Sequence, residues 1–211
     1  NSGTLGRLIL GFLINTPHKI KLVGDKSLSK RDFKRITDPL GKFGAKFKLK
    51  KNKNLPLFMN GSSNLKPINY FENRGSAQCK SAIIFGGMRT NGTTVIKAKK
   101  SRNHTELLCK YLNLPVKINN NKNYDLIKVK RVNKINPLNY NIPSDISSSA
   151  FFIVLTVLSS NSELTIKNVN INPSRTGIIE ILKRMGVKIT FKNKKIYRGE
   201  KIADIQIKSP K

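Results

Sequence analysis

The stretch Gly75-Ser76-Ala77-Gln78-Cys79-Lys80-Ser81-Ala82-Ile83-Ile84-Phe85-Gly86-Gly87 passes from small polar residues straight into an almost unbroken apolar run. That pattern predicts a helix buried on most sides whose first turn is open. A helix start carries backbone N–H groups without intrahelical partners and a partial positive charge. Small side chains such as Ser76 and Ala77 let an anion come close to them. A capped core helix with no ligand has the same signature, so the reading turns on the rest of the chain.

The stretch recurs. Ser2-Gly3-Thr4 leads into Leu8-Ile9-Leu10-Gly11-Phe12-Leu13-Ile14, and Asp145-Ile146-Ser147-Ser148-Ser149 leads into Ala150-Phe151-Phe152-Ile153-Val154-Leu155. The three helix starts fall near residues 2, 76 and 147, which are 74 and 71 residues apart, and this regularity marks an internal repeat. After each comes a short alternating strand: His18 to Leu22, Thr93 to Lys97, and Leu164 to Lys167. A basic loop and a second helix follow. The apolar stripes of the second helices are expected to be Phe33, Ile36 and Leu40, then Leu107, Leu108, Tyr111 and Leu112, then Ile178, Leu182 and Met185. Closing strands are expected at Gly44 to Phe47, Leu114 to Ile118 and Gly186 to Ile189, with further strands around Leu57 to Met59, Leu126 to Val129 and Ile205 to Ile207. The fold class is therefore α/β, built from βαβαββ-like units, each with one buried inner helix and one amphipathic outer helix. Lys134 to Pro143, with Pro137 and Pro143 and little periodicity, is the expected crossing between lobes, while Lys48 to Lys53 and Asn119 to Asn123 read as solvated turns.

Composition narrows the function classes. With 211 residues, 38% of them hydrophobic, the chain can bury a core. Its 41 basic against 11 acidic residues, a formal charge of +30, point to anionic partners or substrates without saying which. Lysine supplies most of that excess, and Asn and Ile are also abundant, as an AT-rich genome would produce in any protein. Cys79, Cys109, His18 and His104 do not sit at metal-ligand spacing, so no zinc site is expected, and two isolated cysteines suit a reducing, intracellular setting. The longest apolar run, Ala150 to Leu158 interrupted by Thr156, is too short to span a bilayer. The chain opens on Asn1 inside what reads as a helix start, so a true N-terminus is expected upstream.

The basic loops place an arginine at or before each outer helix: Arg31, Arg102 and Arg175, the last two beside Ser101 and Ser174. Arginine offers a planar fork matched to phosphate and carboxylate. The plain alternative makes Ser101 and Ser174 helix N-caps and the arginines surface charge. For Arg175 that alternative is preferred. For Arg31 and Arg102 a ligand role is preferred, because both fall in stretches that resemble a known family.

Those stretches are Asn1-Ser2-Gly3-Thr4, Gly24-Asp25 followed by Lys30-Arg31, Gly75 to Ala82, Ser101-Arg102-Asn103-His104-Thr105-Glu106, Asp145 to Phe151, and Ser174-Arg175-Thr176-Gly177. In this order, and over nearly the whole chain, they resemble the 5-enolpyruvylshikimate-3-phosphate synthases. The resemblance implies an inside-out α/β barrel of the enolpyruvyl transferase kind, two lobes of three βαβαββ units with inner helices and outer sheets. It assigns residues 1–140 to a partial first lobe and 141–211 to the first unit of a second lobe, so that the chain is about half an enzyme. It further implies transfer of the enolpyruvyl group of phosphoenolpyruvate to the 5-hydroxyl of shikimate 3-phosphate, with release of phosphate through a tetrahedral intermediate. Carried over by position, Ser76, Ala77, Gln78, Ser101 and Arg102 would hold shikimate 3-phosphate, and Gly3, Arg31 and Gln78 would bind phosphoenolpyruvate. The Gln78 amide is expected to donate to one substrate while accepting from the other. No catalytic residue, metal or cofactor is implied for this chain, and the setting is cytoplasmic, with no nucleic-acid or membrane partner, a monomeric whole enzyme, and self-association of the half left open.

Departures from the family pattern stand at Asp32, where Pro is usual and where the carboxylate is expected to compete for Arg31, and at Gly6, Asn103 and Ser144. The sister transferase acting on UDP-N-acetylglucosamine shares the fold and the phosphoenolpyruvate chemistry, but Ser76-Ala77-Gln78 and Ser101-Arg102 favour the shikimate branch. A polyanion or nucleic-acid binding module would also suit the charge. Against it, the aromatic residues fall mostly on apolar helix faces or strands rather than in a basic stacking row.

Overall fold

Elements follow the chain as helix, strand, helix and paired strands, in three rounds. A computed structural model describes residues 1–209. The first round is α1 (Gly3–Leu13), β1 (Lys19–Leu22), a short 3-10 turn at Leu28–Lys30, α2 (Lys34–Lys42), β2 (Lys46–Lys50) and β3 (Asn54–Asn60). The second is β4 (Asn69–Glu72), α3 (Ala77–Gly87), β5 (Thr93–Lys99), α4 (His104–Tyr111), β6 (Val116–Asn120) and β7 (Tyr124–Lys130). The third is α5 (Ile146–Leu158), β8 (Glu163–Asn170), α6 (Gly177–Arg184), β9 (Lys188–Tyr197) and β10 (Glu200–Lys208). Residues 131–143 hold no regular element.

Side-chain caps fix the three inner helix starts. Ser2 Oγ accepts from Leu5 N–H at 3.1 Å, Ser76 Oγ from Cys79 N–H at 3.3 Å, and the Asp145 carboxylate from Ser148 N–H at 3.0 Å. Strands β5 and β7 alternate between buried and exposed residues, whereas β10 breaks the alternation at Ile202 and Ala203, where its register shifts. In β5, Thr94, Ile96 and Ala98 are buried while Lys97 and Lys99 face water; in β7, Ile127 and Val129 are buried while Lys128 and Lys130 are exposed. Much of the excess lysine thus forms the solvated outer faces of the sheets.

Strand order is β1-β3-β2 in the first sheet, β4-β5-β7-β6 in the second and β8-β10-β9 in the third. Only β4 and β5 pair parallel among the named strands; the remaining pairings are antiparallel. The sequence reading missed β4, whose four residues are too short to display a period. In the third round a single parallel bridge, Ser144 with Val169, stands where β4 stands beside β5.

The chain divides into two compact units. The first joins Asn1–Ser101 to Asn113–Ile135; the second joins Arg102–Leu112 to the residues from Asn136 onward. In the first unit α3 is the centre of the core, with Ala82, Ile83 and Ile84 fully buried. Glycines allow the close approach: a Cβ on Gly11 of α1 would lie 2.3 Å from the Ala82 carbonyl oxygen, and one on Gly86 would press on Phe43, Ile14 and Leu40 at 3.0–3.3 Å. In the second unit the core is Ile146, Ile153, Val169, Ile179, Leu182, Val187, Ile189, Ile205 and Ile207.

Two expectations about the helices are corrected. The inner helix α5 is not buried on most sides: Phe151, Phe152, Leu155 and Leu158 are exposed, because only the Ile146, Ser149, Ile153 and Thr156 side meets the sheet. The stripe of α2, Phe33, Ile36 and Leu40, is fully buried as expected, while those of α4 and α6 are shifted. In α6, Ile179 is buried and Met185, past the last helical residue, is open. In α4, Glu106 and Cys109 are buried while Leu108 and Tyr111 are exposed. Gly199, at φ +89°, lies beside α4, where an added Cβ would be 3.0 Å from the Leu107 carbonyl oxygen.

Candidate anion site at the start of the central helix

The start of α3 is held from behind by β4. Glu72, buried at the end of β4, accepts from the backbone N–H of Arg74 at 3.1 Å and of Ser76 at 2.9 Å. Gly75 makes the turn between them at φ +66°, a conformation that would strain a side chain. With Ser76 as cap, Ala77 and Gln78 become the first helical residues, and their N–H groups have no carbonyl four residues back within the helix. A Cβ on Gly75 would lie 3.4 Å from the Lys100 carbonyl, which places the Ser101 segment beside this turn. The Ser101 hydroxyl is buried and has no hydrogen-bond partner.

Three arginines converge on Gly3 and Gln78. Arg7, one turn into α1 and only 4% exposed, donates from Nη1 to Gln78 Oε1 at 2.8 Å and from Nη2 to the Asp32 carbonyl at 3.0 Å. Its guanidinium lies 5.2 Å from the centroid of the Phe33 ring. Arg35, from α2, reaches the same Gln78 oxygen at 3.5 Å. Arg31 completes the group: a Cβ built on Gly3 would lie 3.5 Å from Arg31 Nη1 and 3.8 Å from Arg7 Nη1. Burial, then the charges of Arg35 and Arg31, push the Arg7 pKa below its ordinary value, with Asp32 acting the other way. Such a cluster of like charges is stabilised by an anion placed among them.

The loop that carries Arg31 is tied to α1. Asn1 Oδ1 accepts from Asp25 N–H at 2.8 Å, Asp25 caps Leu28 N–H at 2.7 Å, and Asn54 donates to the Lys30 carbonyl at 2.9 Å. The Asp32 carboxylate accepts from Lys34 N–H at 2.7 Å, so its side chain serves the start of α2.

The first unit therefore brings together Gly3, Arg31, Ser76, Ala77 and Gln78, with Ser101 close behind Gly75. Arg102 opens the second unit and is exposed. Sequence reasoning missed Arg7, Arg35, Thr4 and Glu72. A signal for Arg7 existed, a lone charge four residues after Gly3 in an otherwise apolar helix. The Gln78 amide oxygen accepts from Arg7 and Arg35, and its Nε2 donates to Thr4 Oγ1 at 2.8 Å.

The second unit repeats the helix start with a different outcome. Arg175, read from sequence as surface charge, donates to Asp145 Oδ1 at 3.1 Å and to Ser147 Oγ, pinning the outer-helix loop to the start of α5. Burial raises the Asp145 carboxyl, but hydrogen bonds from Ser148 and Ser147 and the charge of Arg175 outweigh it and hold the group below the usual range. Ser174 is no helix cap either: it donates to Asn172 Oδ1 at 2.7 Å, and α6 starts after Thr176. Likewise α4 starts after Asn103, not Ser101. Nearby, His104 Nδ1 pairs with the buried Glu200 at 2.6 Å beside a cavity of about 270 Å³. Among the described residues no cluster of three or more His, Cys, Asp or Glu is placed to hold a metal ion, and no helix is long and apolar enough to cross a membrane.

Comparison with known proteins identifies the family. Residues 1–209 match the family described as EPSP synthase (3-phosphoshikimate 1-carboxyvinyltransferase). A 3-phosphoshikimate 1-carboxyvinyltransferase of Caldicellulosiruptor saccharolyticus is 44% identical over 211 residues, covering 99% of this chain and 48% of the relative. One from Leuconostoc mesenteroides is 41% identical over 210 residues, covering 99% and 47%. The solved EPSP synthase of Acinetobacter baumannii superimposes with a TM-score of 0.83 at 38% identity, over 99% of this chain and 46% of that one. The enolpyruvyl transferase NikO of Streptomyces tendae shares the fold, with a TM-score of 0.67 at 14% identity over 96% of this chain. Spanning about half the length of the curated relatives it matches, the chain belongs to the EPSP synthase family.

Proposed function

We propose that this chain forms one wall of the substrate site of a 5-enolpyruvylshikimate-3-phosphate synthase. The reaction is transfer of the enolpyruvyl group of phosphoenolpyruvate to the 5-hydroxyl of shikimate 3-phosphate, by addition to a tetrahedral intermediate and elimination of phosphate, in the cytoplasm. The observation that carries the reading is the convergence of Arg7, Arg31 and Arg35 on Gly3 and Gln78 at an open helix start. Ser76, Ala77, Gln78 and Ser101, with Arg102, hold shikimate 3-phosphate; Gly3, Arg31 and Gln78 hold phosphoenolpyruvate. Gly3 leaves room in front of the guanidinium groups, which neutralise phosphate or carboxylate oxygens. These residues bind and orient, and none of them is assigned proton transfer. Turnover requires a second wall that closes over both substrates, so the chain alone binds without turning over.

The test is a calorimetric titration of shikimate 3-phosphate into the purified chain at low and moderate salt, with Gln78→Ala as control. Saturable binding that the variant loses supports the reading. Heat that vanishes steeply with salt, and equally in both proteins, marks unspecific attraction to the +30 charge and overturns it. Saturable binding of UDP-N-acetylglucosamine instead would assign the chain to the sister activity.

A further inference from the structure

Arg7 is a buried cation whose observed hydrogen-bond acceptors, Gln78 Oε1 and the Asp32 carbonyl, are both neutral. Its Nε is buried with no hydrogen-bond partner, as is that of Arg35. Burying a guanidinium on these terms is costly, and a methionine of similar length would fill the same space against Phe33 without that cost. The cation therefore has a use beyond packing.

The use lies in what arginine lacks. A guanidinium has five N–H donors and no acceptor, so whichever end of the Gln78 amide faces Arg7 must be the oxygen. Turned the other way, the amide would set its NH2 against the donors of both Arg7 and Arg35, whereas the Thr4 hydroxyl, able to donate or accept, suits either orientation. A free glutamine offers a ligand either end. This one offers only NH2: one hydrogen goes to Thr4 Oγ1, and the second is left for a ligand.

We infer that Arg7 is a positioning residue that locks Gln78 as a hydrogen-bond donor, so that this side of the site reads an acceptor oxygen on its ligand. The inference deepens the proposed function and rests on it for the identity of the ligand, a small anion whose phosphate, carboxylate or hydroxyl oxygen meets the Gln78 amide. A ligand with an ammonium or amide NH2 in that place is rejected, because two donors would face each other.

The amide itself can be observed. The chain has two glutamines, Gln78 and Gln206, so the Gln78 side-chain signals in a 15N spectrum are assigned by their loss in Gln78→Glu. In the parent chain the Gln78 NH2 protons should exchange with water at least tenfold more slowly than those of a solvent-exposed side-chain amide. In Arg7→Met they should move to solvent-like shifts and exchange at least tenfold faster than in the parent, and Arg7→Lys, which keeps donors without acceptors, should restore part of the protection. Parent exchange at the solvent rate, or signals unchanged in Arg7→Met, would overturn the inference. Should Arg7→Met fail to fold, the parent exchange rate decides alone.

Ligand selectivity is a second arm. Gln78→Glu keeps, and strengthens, the contact with Arg7 and Arg35 while removing the donor. Its melting temperature should not fall, yet its affinity for shikimate 3-phosphate should drop at least tenfold; equal affinity would overturn the inference. If the parent chain binds no shikimate 3-phosphate, the functional reading fails, and the exchange measurement, which needs no ligand, still decides the role of Arg7.

Discussion

Helices α3 and α5 begin alike and end up in different circumstances. Both have a capped start of small polar residues and a largely apolar body, broken in α5 only by Thr156. The body of α3 is enclosed: Ile83 and Ile84 are fully buried, and Gly11, Gly86 and Gly87 let neighbouring elements approach to backbone contact. The body of α5 packs along one side only, leaving Phe151 and Leu158 79% exposed. Their first turns differ in the opposite sense. At α3 the arginines face a neutral amide; at α5 the facing arginine is already paired with the capping Asp145. An apolar helix pattern thus reports the capacity to be buried, and whether the start is a site depends on what the facing arginine meets.

The largest effects that would break this contrast are on stability. Gly11→Ala would put a Cβ 2.3 Å from the Ala82 carbonyl, and the backbone there has nowhere to move. We expect a loss of ~3 kcal/mol in urea unfolding. Ile83→Ala, which empties a fully buried site, should cost a similar ~3 kcal/mol, whereas Phe151→Ser on the open face of α5 should change stability by less than ~0.5 kcal/mol. Comparable losses at Ile83 and Phe151 would mean that α5 is covered in solution.

A smaller effect sharpens the difference between the helix starts. A Cβ on Gly3 makes contacts of 3.4–3.8 Å with Leu28, Arg31 and Arg7, so Gly3→Ala should leave stability nearly unchanged while filling the space in front of the guanidinium groups. Affinity for phosphoenolpyruvate should fall about tenfold, roughly 1.4 kcal/mol, by calorimetry. An unchanged affinity would place the ligand elsewhere.

Acid should weaken the second unit through Glu200. Burial raises its carboxyl, but hydrogen bonds from His104 and Asn170 and the charge of His104 outweigh it and hold the pKa below the ordinary 4.5. A depressed carboxyl contributes stability that is complete above its unfolded value and is lost as pH falls through its folded one. Glu200→Gln should therefore flatten the acid limb of a stability profile, by less than ~1 kcal/mol. The least effect is common to both units. Burial, followed by Glu72 at Cys79 and Glu106 at Cys109, pushes both thiols up to about 12, so neither should react with a thiol reagent at pH 8 until the chain unfolds.

Much of this was legible from repetition. The helix starts at Ser76 and Asp145 could be read because small capping residues precede apolar runs, and the strand pairs because lysine alternates with Ile, Leu and Val. Short β4 carries too few residues for a period, and its Glu72 looks like any surface acid until its two backbone partners are known. Arg31 stood in a recognisable loop. Arg7 did not, because its partner Gln78 lies 71 residues away and only the packing of α1 against α3 joins them.

The most direct measurement is a titration of the 15N-labelled chain with phosphoenolpyruvate, followed amide by amide. The account predicts saturable shifts at Gly3, Thr4, Arg31, Ala77 and Gln78, with Ser147, Ser148 and Ser149 at the start of α5 unmoved. Equal shifts at both helix starts, or shifts spread without saturation over the lysine faces of the sheets, would contradict it.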